Sequence, residues 1–152
     1  MSVESSGTKK SSKSKKSAKG VSEPSQGSFF FPDGSSYKGE YIVTKEGAKL
    51  RQGQGSYEAP LESYTGTWLN DKQDGEGVYK FNSGAVYSGS FKEGCFHGNG
   101  KFIFPDGATY EGEWSYNKMH GEGVYIDSQQ VKWAGQYFNG MYDSGKSFVK
   151  VR

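Results

Sequence analysis

Aromatic residues and glycines alternate with polar residues in short segments along most of this chain. In Tyr64-Thr-Gly-Thr-Trp68 the rings and the glycine are two positions apart, so in an extended strand they share one face and the threonines share the other. The segment Gly75-Glu-Gly-Val-Tyr79-Lys-Phe81 repeats this alternation after six intervening residues. The pattern predicts a hairpin of two strands joined by a six-residue turn. A helix is disfavoured because each interior glycine costs about 1 kcal/mol relative to alanine.

This hairpin pattern recurs with a period of 23 residues. Each copy has the frame Tyr-x-Gly-x-aromatic followed by Gly-x-Gly, and the copies begin at Tyr37, Tyr64, Tyr87 and Tyr110. The copy at Tyr37 carries five extra residues within 42–52, and a degenerate copy begins at Trp133. Residues 27–36 match the end of a repeat and are interpreted as a partial copy. A fixed period of this length is typical of a repeat array in which each unit contacts its neighbours.

The connections between repeats carry turn residues. Pro32-Asp33-Gly34, Asn82-Ser83-Gly84 and Pro105-Asp106-Gly107 each place a turn-forming residue before a glycine that can adopt positive φ. The corresponding segment 127–130 lacks the glycine, which predicts a looser turn. Hairpins joined in this way predict an all-β fold, an elongated single-layer antiparallel sheet of about ten strands. We expect the sheet to be twisted and curved, with the first hairpin and the degenerate repeat as caps.

Composition agrees with a thin sheet and indicates a compartment. The chain has 23 glycines, 16% aromatic residues and a mean hydropathy of −0.83, so rings over bare backbone replace an aliphatic core. Its single cysteine, Cys95, has no internal disulfide partner, and no apolar run approaches the roughly 18 residues that a membrane span needs. The polar N-terminus is unlike a secretory signal. These features predict a cytoplasmic or nuclear protein with a reduced thiol.

Residues 1–26 differ from the repeat domain, which we place at 27–152. They are rich in serine and lysine and contain no aromatic residue, which is typical of a disordered tail. The tail has a net charge of +4, whereas residues 27–152 have a net charge of −2. Three roles stay open for it: solubilisation, nuclear import, or electrostatic tethering to anionic lipid. The tether residues would be Lys9, Lys10, Lys13, Lys15, Lys16 and Lys19.

The frame Tyr-x-Gly-x-Trp/Phe followed by His-Gly-x-Gly at a 23-residue period resembles the MORN-repeat family over about residues 27–145. The departures are Tyr41 and Phe91 at the tryptophan position and Gln52 and Asp74 at the histidine position. The resemblance implies a short protein made of MORN repeats alone, whose β-hairpin sheet is a platform for protein interaction, dimerisation or membrane association. It also implies a location at cytoskeletal, ciliary or flagellar, or membrane-associated structures.

The residues that carry catalytic chemistry in other proteins have simpler interpretations here. His97 and His120 occupy the same repeat position, where Asp74 stands in another copy, so we interpret them as turn residues that bond local backbone rather than as metal ligands. Cys95 has no evident base beside it. The Gly-x-Gly pairs do not continue into a phosphate-binding motif. We therefore predict no enzymatic activity, no cofactor and no metal, and the acidic repeat domain argues against nucleic acid.

The one-sided row of rings is the main functional candidate. A single-layer sheet leaves both faces open, so we expect the rings to line a groove that binds a helical or extended segment of a protein partner. The alternative left open is that stacking between repeats consumes this surface. A second function class is a peripheral membrane protein that binds anionic phospholipid through the tail and the repeat surface. The protein is expected to be a monomer or homodimer. The candidate partner-binding residues are Tyr64, Trp68, Tyr87, Phe91, Tyr110, Trp114, Trp133 and Tyr137.

Overall fold

The computed structural model describes residues 20–148, and the side chain of residue 148 is left out of the description. Eleven strands form one sheet in which spatial order equals sequence order, and every neighbouring pair is antiparallel. The strands are β1 (Ser25–Phe30), β2 (Ser36–Val43), β3 (Lys49–Ala59), β4 (Glu62–Leu69), β5 (Lys72–Phe81), β6 (Val86–Lys92), β7 (Cys95–Ile103), β8 (Thr109–Ser115), β9 (Lys118–Ile126), β10 (Lys132–Phe138) and β11 (Met141–Phe148).

The predicted all-β sheet of stacked hairpins is confirmed. Residues 20–148 contain strands and turns and no helix. The hairpins are β2–β3, β4–β5, β6–β7, β8–β9 and β10–β11, with β1 as the remaining half of the partial copy. β1 begins two residues before the predicted boundary at residue 27, and an isolated bridge joins Val21 to Thr44 further upstream. The tether lysines of the tail lie outside the described residues.

The turns within the hairpins are shorter than the sequence pattern predicts. β4 ends at Leu69 and β5 begins at Lys72, so the predicted six-residue turn is wrong and a two-residue turn takes its place. Both central residues have positive φ, as in a type I′ turn, at Asn70–Asp71, Glu93–Gly94, Tyr116–Asn117 and Asn139–Gly140. Some of the residues that were predicted to lie in the turn form a β-bulge instead, in which Thr67 of β4 lies opposite residues 74–76 of β5. Gly75, in the bulge, has a φ of 93°.

The connection at 127–130 also differs from expectation. Asp127 N donates to Val131 O at 3.0 Å and Gln130 N donates to Asp127 O at 3.0 Å. The turn that contains Gly107 has the same two bonds, from Phe104 N to Ala108 O and from Gly107 N to Phe104 O. The prediction of a looser turn is therefore wrong. Gln130 takes the place of the glycine at a φ of 67°, a conformation that L residues adopt at a cost.

The residue before each bulge glycine links one hairpin to the next. His97 lies in β7 and its ring contacts Tyr116 at 4.7 Å between centroids, while His120 lies in β9 and contacts Phe138 at 5.8 Å. Our interpretation of the histidines as turn residues that bond local backbone is therefore wrong, because the short turns leave this position in a strand. Asp74 accepts a hydrogen bond from the backbone N–H of Glu93, in the next turn.

Candidate interaction surface

The inner aromatic tier is a row of tyrosines that lie flat over pairs of glycines. Tyr64 covers Gly66 and its cross-strand partner Gly77, and a methyl group at Gly77 would lie 2.5 Å from Tyr64 Cε2. The glycine pair is therefore required by the close approach of the ring. Equivalent tyrosines cover the glycine pairs of three other hairpins, namely Tyr37, Tyr87 and Tyr110. We call the side of the sheet that carries these rings the aromatic face.

Consecutive hairpins are joined by rings packed edge to face. Tyr64 contacts Trp68 of its own strand at 5.0 Å and 90°, and Phe91 of the next hairpin at 4.9 Å and 78°. This alternation, which is the preferred arrangement of aromatic pairs, runs without interruption through eight rings of the sheet. In order of contact they are Tyr37, Trp68, Tyr64, Phe91, Tyr87, Trp114, Tyr110 and Tyr137.

Hydrogen bonds fix the inner tier in place. The Tyr64 hydroxyl donates to Thr67 O at 2.9 Å, and Trp68 Nε1 donates to Gly55 O of the preceding hairpin at 3.1 Å. Burial raises the pKa of the phenols of Tyr37, Tyr64 and Tyr110 to about 12, and it raises the pKa of Tyr87 as well. The hydroxyls therefore stay protonated and able to donate at neutral pH.

The predicted partner-binding rings form most of this buried tier. Seven of the eight are 0–7% exposed, namely Tyr64, Trp68, Tyr87, Phe91, Tyr110, Trp114 and Tyr137. Trp133 is half-buried. The expectation that these rings line an open groove is therefore wrong for the seven, because the ring of an adjacent hairpin packs against each of them. They support the half-buried rings that lie over them.

An outer tier of half-buried side chains lies on the same face. It comes from the second strand of each hairpin and the connections that follow, and its members are Tyr57, Tyr79, Phe81, Phe96, Phe102, Phe104, Met119, Tyr125 and Tyr142. In the centre of the sheet, Phe102 contacts Phe81 at 5.8 Å and Phe104 at 4.6 Å. Phe104 in turn contacts Tyr125 at 5.9 Å. These rings are the accessible aromatic surface.

The sequence already contained a signal for the outer tier. In Gly75-Glu-Gly-Val-Tyr79-Lys-Phe81 the alternation places Tyr79 and Phe81 on the face of Tyr64, and the pairing of Tyr64 with Tyr79 agrees. The first-strand rings share this face but are buried on it, in agreement with the alternative that stacking between repeats consumes their surface. Ring stacking along the sheet, rather than a second layer, supplies that burial.

The first hairpin places charged groups of both signs on the aromatic face. The guanidinium of Arg51 lies 4.1 Å from the Trp68 ring centroid, and its Nε is 2.6 Å from Asp71 Oδ1. The amine of Lys49 lies 5.1 Å from the Phe29 ring centroid. Both cations come from the extended second strand of this hairpin, and with Asp33 they line a cleft of about 520 Å³. This end of the aromatic face therefore carries both positive and negative charges.

The aromatic face has a second cleft at its last hairpin. It has a volume of about 410 Å³ and is lined by Met119, Tyr125, Trp133, Tyr137 and Tyr142. None of these side chains is charged. The two clefts therefore differ in chemistry, and the row of outer rings lies between them.

The opposite side of the sheet, which we call the polar face, carries the alternate residues of every strand. Thr65, Glu76, Lys80 and Lys101 lie there by register. Gln54 Nε2 donates to Thr67 Oγ1 across this face at 3.0 Å. Lysines and glutamates are interspersed, so a large surface of one charge does not form. The two faces of the sheet therefore differ in composition, one aromatic and the other mixed polar and apolar.

Within residues 20–148, no three His, Cys, Asp or Glu side chains are grouped closely enough to hold a metal ion. The same residues include no helix long and apolar enough to cross a membrane.

Comparison with known proteins identifies the repeat. The family model described as MORN repeat matches residues 64–86, 87–109 and 110–129. Among curated proteins, Alsin of Rattus norvegicus is 38% identical over 73 residues, and Alsin of Homo sapiens is 36% identical over the same length. Each match covers 44% of this chain and 4% of the relative. The chain thus corresponds to a small part of these relatives.

Proposed function

This chain is a MORN-repeat protein, built from a non-catalytic repeat module of protein or membrane interaction, and we propose that it binds a segment of a protein partner along its aromatic face. The observation that carries the proposal is the outer tier. Half-buried rings follow one another from Tyr79 to Tyr125 on an uncovered sheet. A continuous apolar surface of this kind on a soluble protein usually marks an interaction site.

The inner and outer tiers have different roles in the proposed binding. The inner tier is held by glycine contacts, edge-to-face rings and hydroxyl bonds, so it gives the outer tier a fixed base. Rings that are already ordered lose little side-chain entropy when a partner binds. Tyrosine, tryptophan and phenylalanine also provide large contact areas, which is why they dominate binding energy at interfaces. An apolar helix or an extended segment fits such a row.

A membrane role is the second candidate, and the charge of the N-terminal segment favours it. Residues 1–26 have a net charge of +4, and each lysine near an anionic membrane contributes about 1 kcal/mol. The tether would be Lys9, Lys10, Lys13, Lys15, Lys16 and Lys19. A cytoplasmic location, expected from composition, stays a prediction. So does a place at cytoskeletal, ciliary or flagellar, or membrane-associated structures, which the family resemblance implies.

Co-purification with matched variants tests the protein-binding proposal. The variant Phe81→Ser/Phe104→Ser removes two outer rings, and Val78→Ser/Ile103→Ser removes two apolar side chains of the polar face, where Ile103 is 39% exposed. Full-length chains, checked for folding by circular dichroism, are used to capture proteins from a lysate. We expect a set of partners that the wild type and the polar-face variant retain and the aromatic-face variant loses. Equal retention by both variants would overturn the proposal.

Liposome co-sedimentation separates the second candidate from the first. Vesicles of phosphatidylcholine and phosphatidylserine are mixed with the full chain and with a chain lacking residues 1–26. A membrane tether predicts sedimentation that depends on phosphatidylserine and is lost with the tail. Sedimentation that the truncated chain retains would remove the tail lysines from the mechanism.

A further inference from the structure

The last hairpin lacks one ring that every preceding hairpin has. The cross-strand partner of each inner tyrosine is an aromatic residue, in the pairs Tyr37–Tyr57, Tyr64–Tyr79, Tyr87–Phe102 and Tyr110–Tyr125. In the last hairpin Trp133 replaces the tyrosine, and its cross-strand partner is Ser147. The serine side chain is too short to cover an indole. The indole is half-buried, whereas the four tyrosines are at most 1% exposed.

The cleft of about 410 Å³ lies beside Trp133. Its walls are Trp133, Met119, Tyr125, Tyr137 and Tyr142, and Tyr142 stands edge-on to the Trp133 ring at 5.6 Å and 71°. The volume is within the range of sites that hold small organic groups. A charged group would find no opposite charge among the lining residues, so burial there would be costly. The cleft therefore favours a neutral apolar side chain.

The preceding hairpins show which apolar side chain fits. Rings from adjacent hairpins pack edge to face against each inner tyrosine with centroids 4.9–5.5 Å apart, in the pairs Tyr37–Trp68, Tyr64–Phe91, Tyr87–Trp114 and Tyr110–Tyr137. An aliphatic side chain would fill the space but could not make the favourable electrostatic contact between the edge of one ring and the face of another. The cross-strand partners of these tyrosines are aromatic as well, so the Trp133 face is matched to a phenylalanine, tyrosine or tryptophan ring.

We propose that the cleft beside Trp133 binds one aromatic side chain of the partner segment and anchors that segment at the β10–β11 end of the aromatic face. The inference rests on the proposed function and adds the position and chemistry of the main contact. A single ring in a desolvated aromatic pocket is the usual form of an interface hot spot. The cleft at the other end is lined by Lys49, Arg51, Asp33 and Asp71, so it does not offer the same site.

Covering the Trp133 ring from within the chain tests the anchor. Ser147→Tyr restores the cross-strand ring of the other hairpins, and Ser144→Tyr places the same ring on the polar face of the same strand. The probe is a labelled peptide selected from a displayed random library on the full wild-type chain, with Kd measured by fluorescence anisotropy. We expect the selected peptides to share an aromatic residue. Ser147→Tyr is expected to weaken binding about thirtyfold, as loss of a hot spot does, while Ser144→Tyr leaves Kd unchanged.

A double-mutant cycle makes the result specific to one contact. Alanine in place of the aromatic residue of the peptide is expected to weaken binding to the wild type about thirtyfold but to have little further effect on Ser147→Tyr. Additive losses, or equal losses with Ser144→Tyr, would overturn the anchor. If peptide binding depends on Phe81 and Phe104 but not on the cleft, the anchor fails and the proposed function stands. If no selected peptide depends on the aromatic face, both fail.

Discussion

The indole N–H of Trp114 donates a hydrogen bond of 3.0 Å to the carbonyl oxygen of Gly100 in the preceding hairpin. The bond joins neighbouring repeats through a buried side chain, in addition to the strand pairing between β7 and β8. Trp68 makes the same bond to Gly55 at 3.1 Å, whereas Phe91, at the equivalent position, has no donor to offer.

We predict that Trp114→Phe lowers the free energy of unfolding by about 1–2 kcal/mol, because it removes this bond and part of the buried ring. Urea unfolding followed by circular dichroism measures the change. Trp133→Phe is the control, since Trp133 is half-buried and makes no such bond within residues 20–148. Equal losses for the two variants would contradict the role of the bond.

Substitution by alanine is expected to lower stability more at a glycine under a ring of the sheet than at a glycine of the connections. At Gly77 a methyl group would lie 2.5 Å from the Tyr64 ring, whereas at Gly84 nothing lies within 4 Å but φ is 89°. We predict a loss of about 3 kcal/mol for Gly77→Ala, from overpacking against the ring, and about 1 kcal/mol for Gly84→Ala, from backbone strain. Chemical denaturation distinguishes these values. A smaller loss at Gly77 than at Gly84 would show that the ring is not pressed on the backbone.

The connection at 127–130 offers a stabilising substitution. Gln130 has a φ of 67° in a turn whose counterpart has Gly107 at 88°. We predict that Gln130→Gly raises the free energy of unfolding by about 1 kcal/mol, because glycine adopts this conformation without the steric cost of a Cβ atom. Gly107→Gln should lower it by a similar amount. A loss of stability with Gln130→Gly, measured by thermal and urea unfolding, would contradict the assigned turn.

Alkaline pH is predicted to destabilise the sheet through the inner tier. Burial raises the pKa of Tyr37, Tyr64 and Tyr110 to about 12, whereas tyrosines of an unfolded chain ionise near pH 10. Between about pH 10 and 12 the folded chain retains protons that the unfolded chain has lost. The free energy of unfolding therefore falls as pH rises through this window. The stabilisation that the protonated tyrosines contribute is fully present below about pH 10.

Urea unfolding at a series of pH values tests this dependence. Tyr110→Phe removes one of the ionising groups, so its free energy of unfolding should fall less steeply between about pH 10 and 12 than that of the wild type. The slope is the readout, because loss of the hydrogen bond from Tyr110 to Glu113 O lowers stability at every pH. Identical slopes for the two chains would show that Tyr110 does not carry this linkage.

The repeat frame was enough to predict the fold, because strand alternation and turn chemistry are local properties of the sequence. The turn length between Trp68 and Gly75 was not predictable in this way, since a β-bulge and a long turn both interrupt the alternation. Burial of Tyr64 and its counterparts could be left open as an alternative but not decided from the repeat frame, for a different reason. It depends on rings of the next hairpin, such as Phe91, which lie 23 residues or more away in sequence.

The central claim is that a partner contacts the aromatic face, and photocrosslinking tests it most directly. A photoreactive p-benzoylphenylalanine is incorporated at position 104, on the aromatic face, or at position 103, on the polar face one residue away. After irradiation with the partners recovered by co-purification, we predict covalent adducts from position 104 and none from position 103. Adducts from position 103 alone, or equally from both positions, would contradict the account.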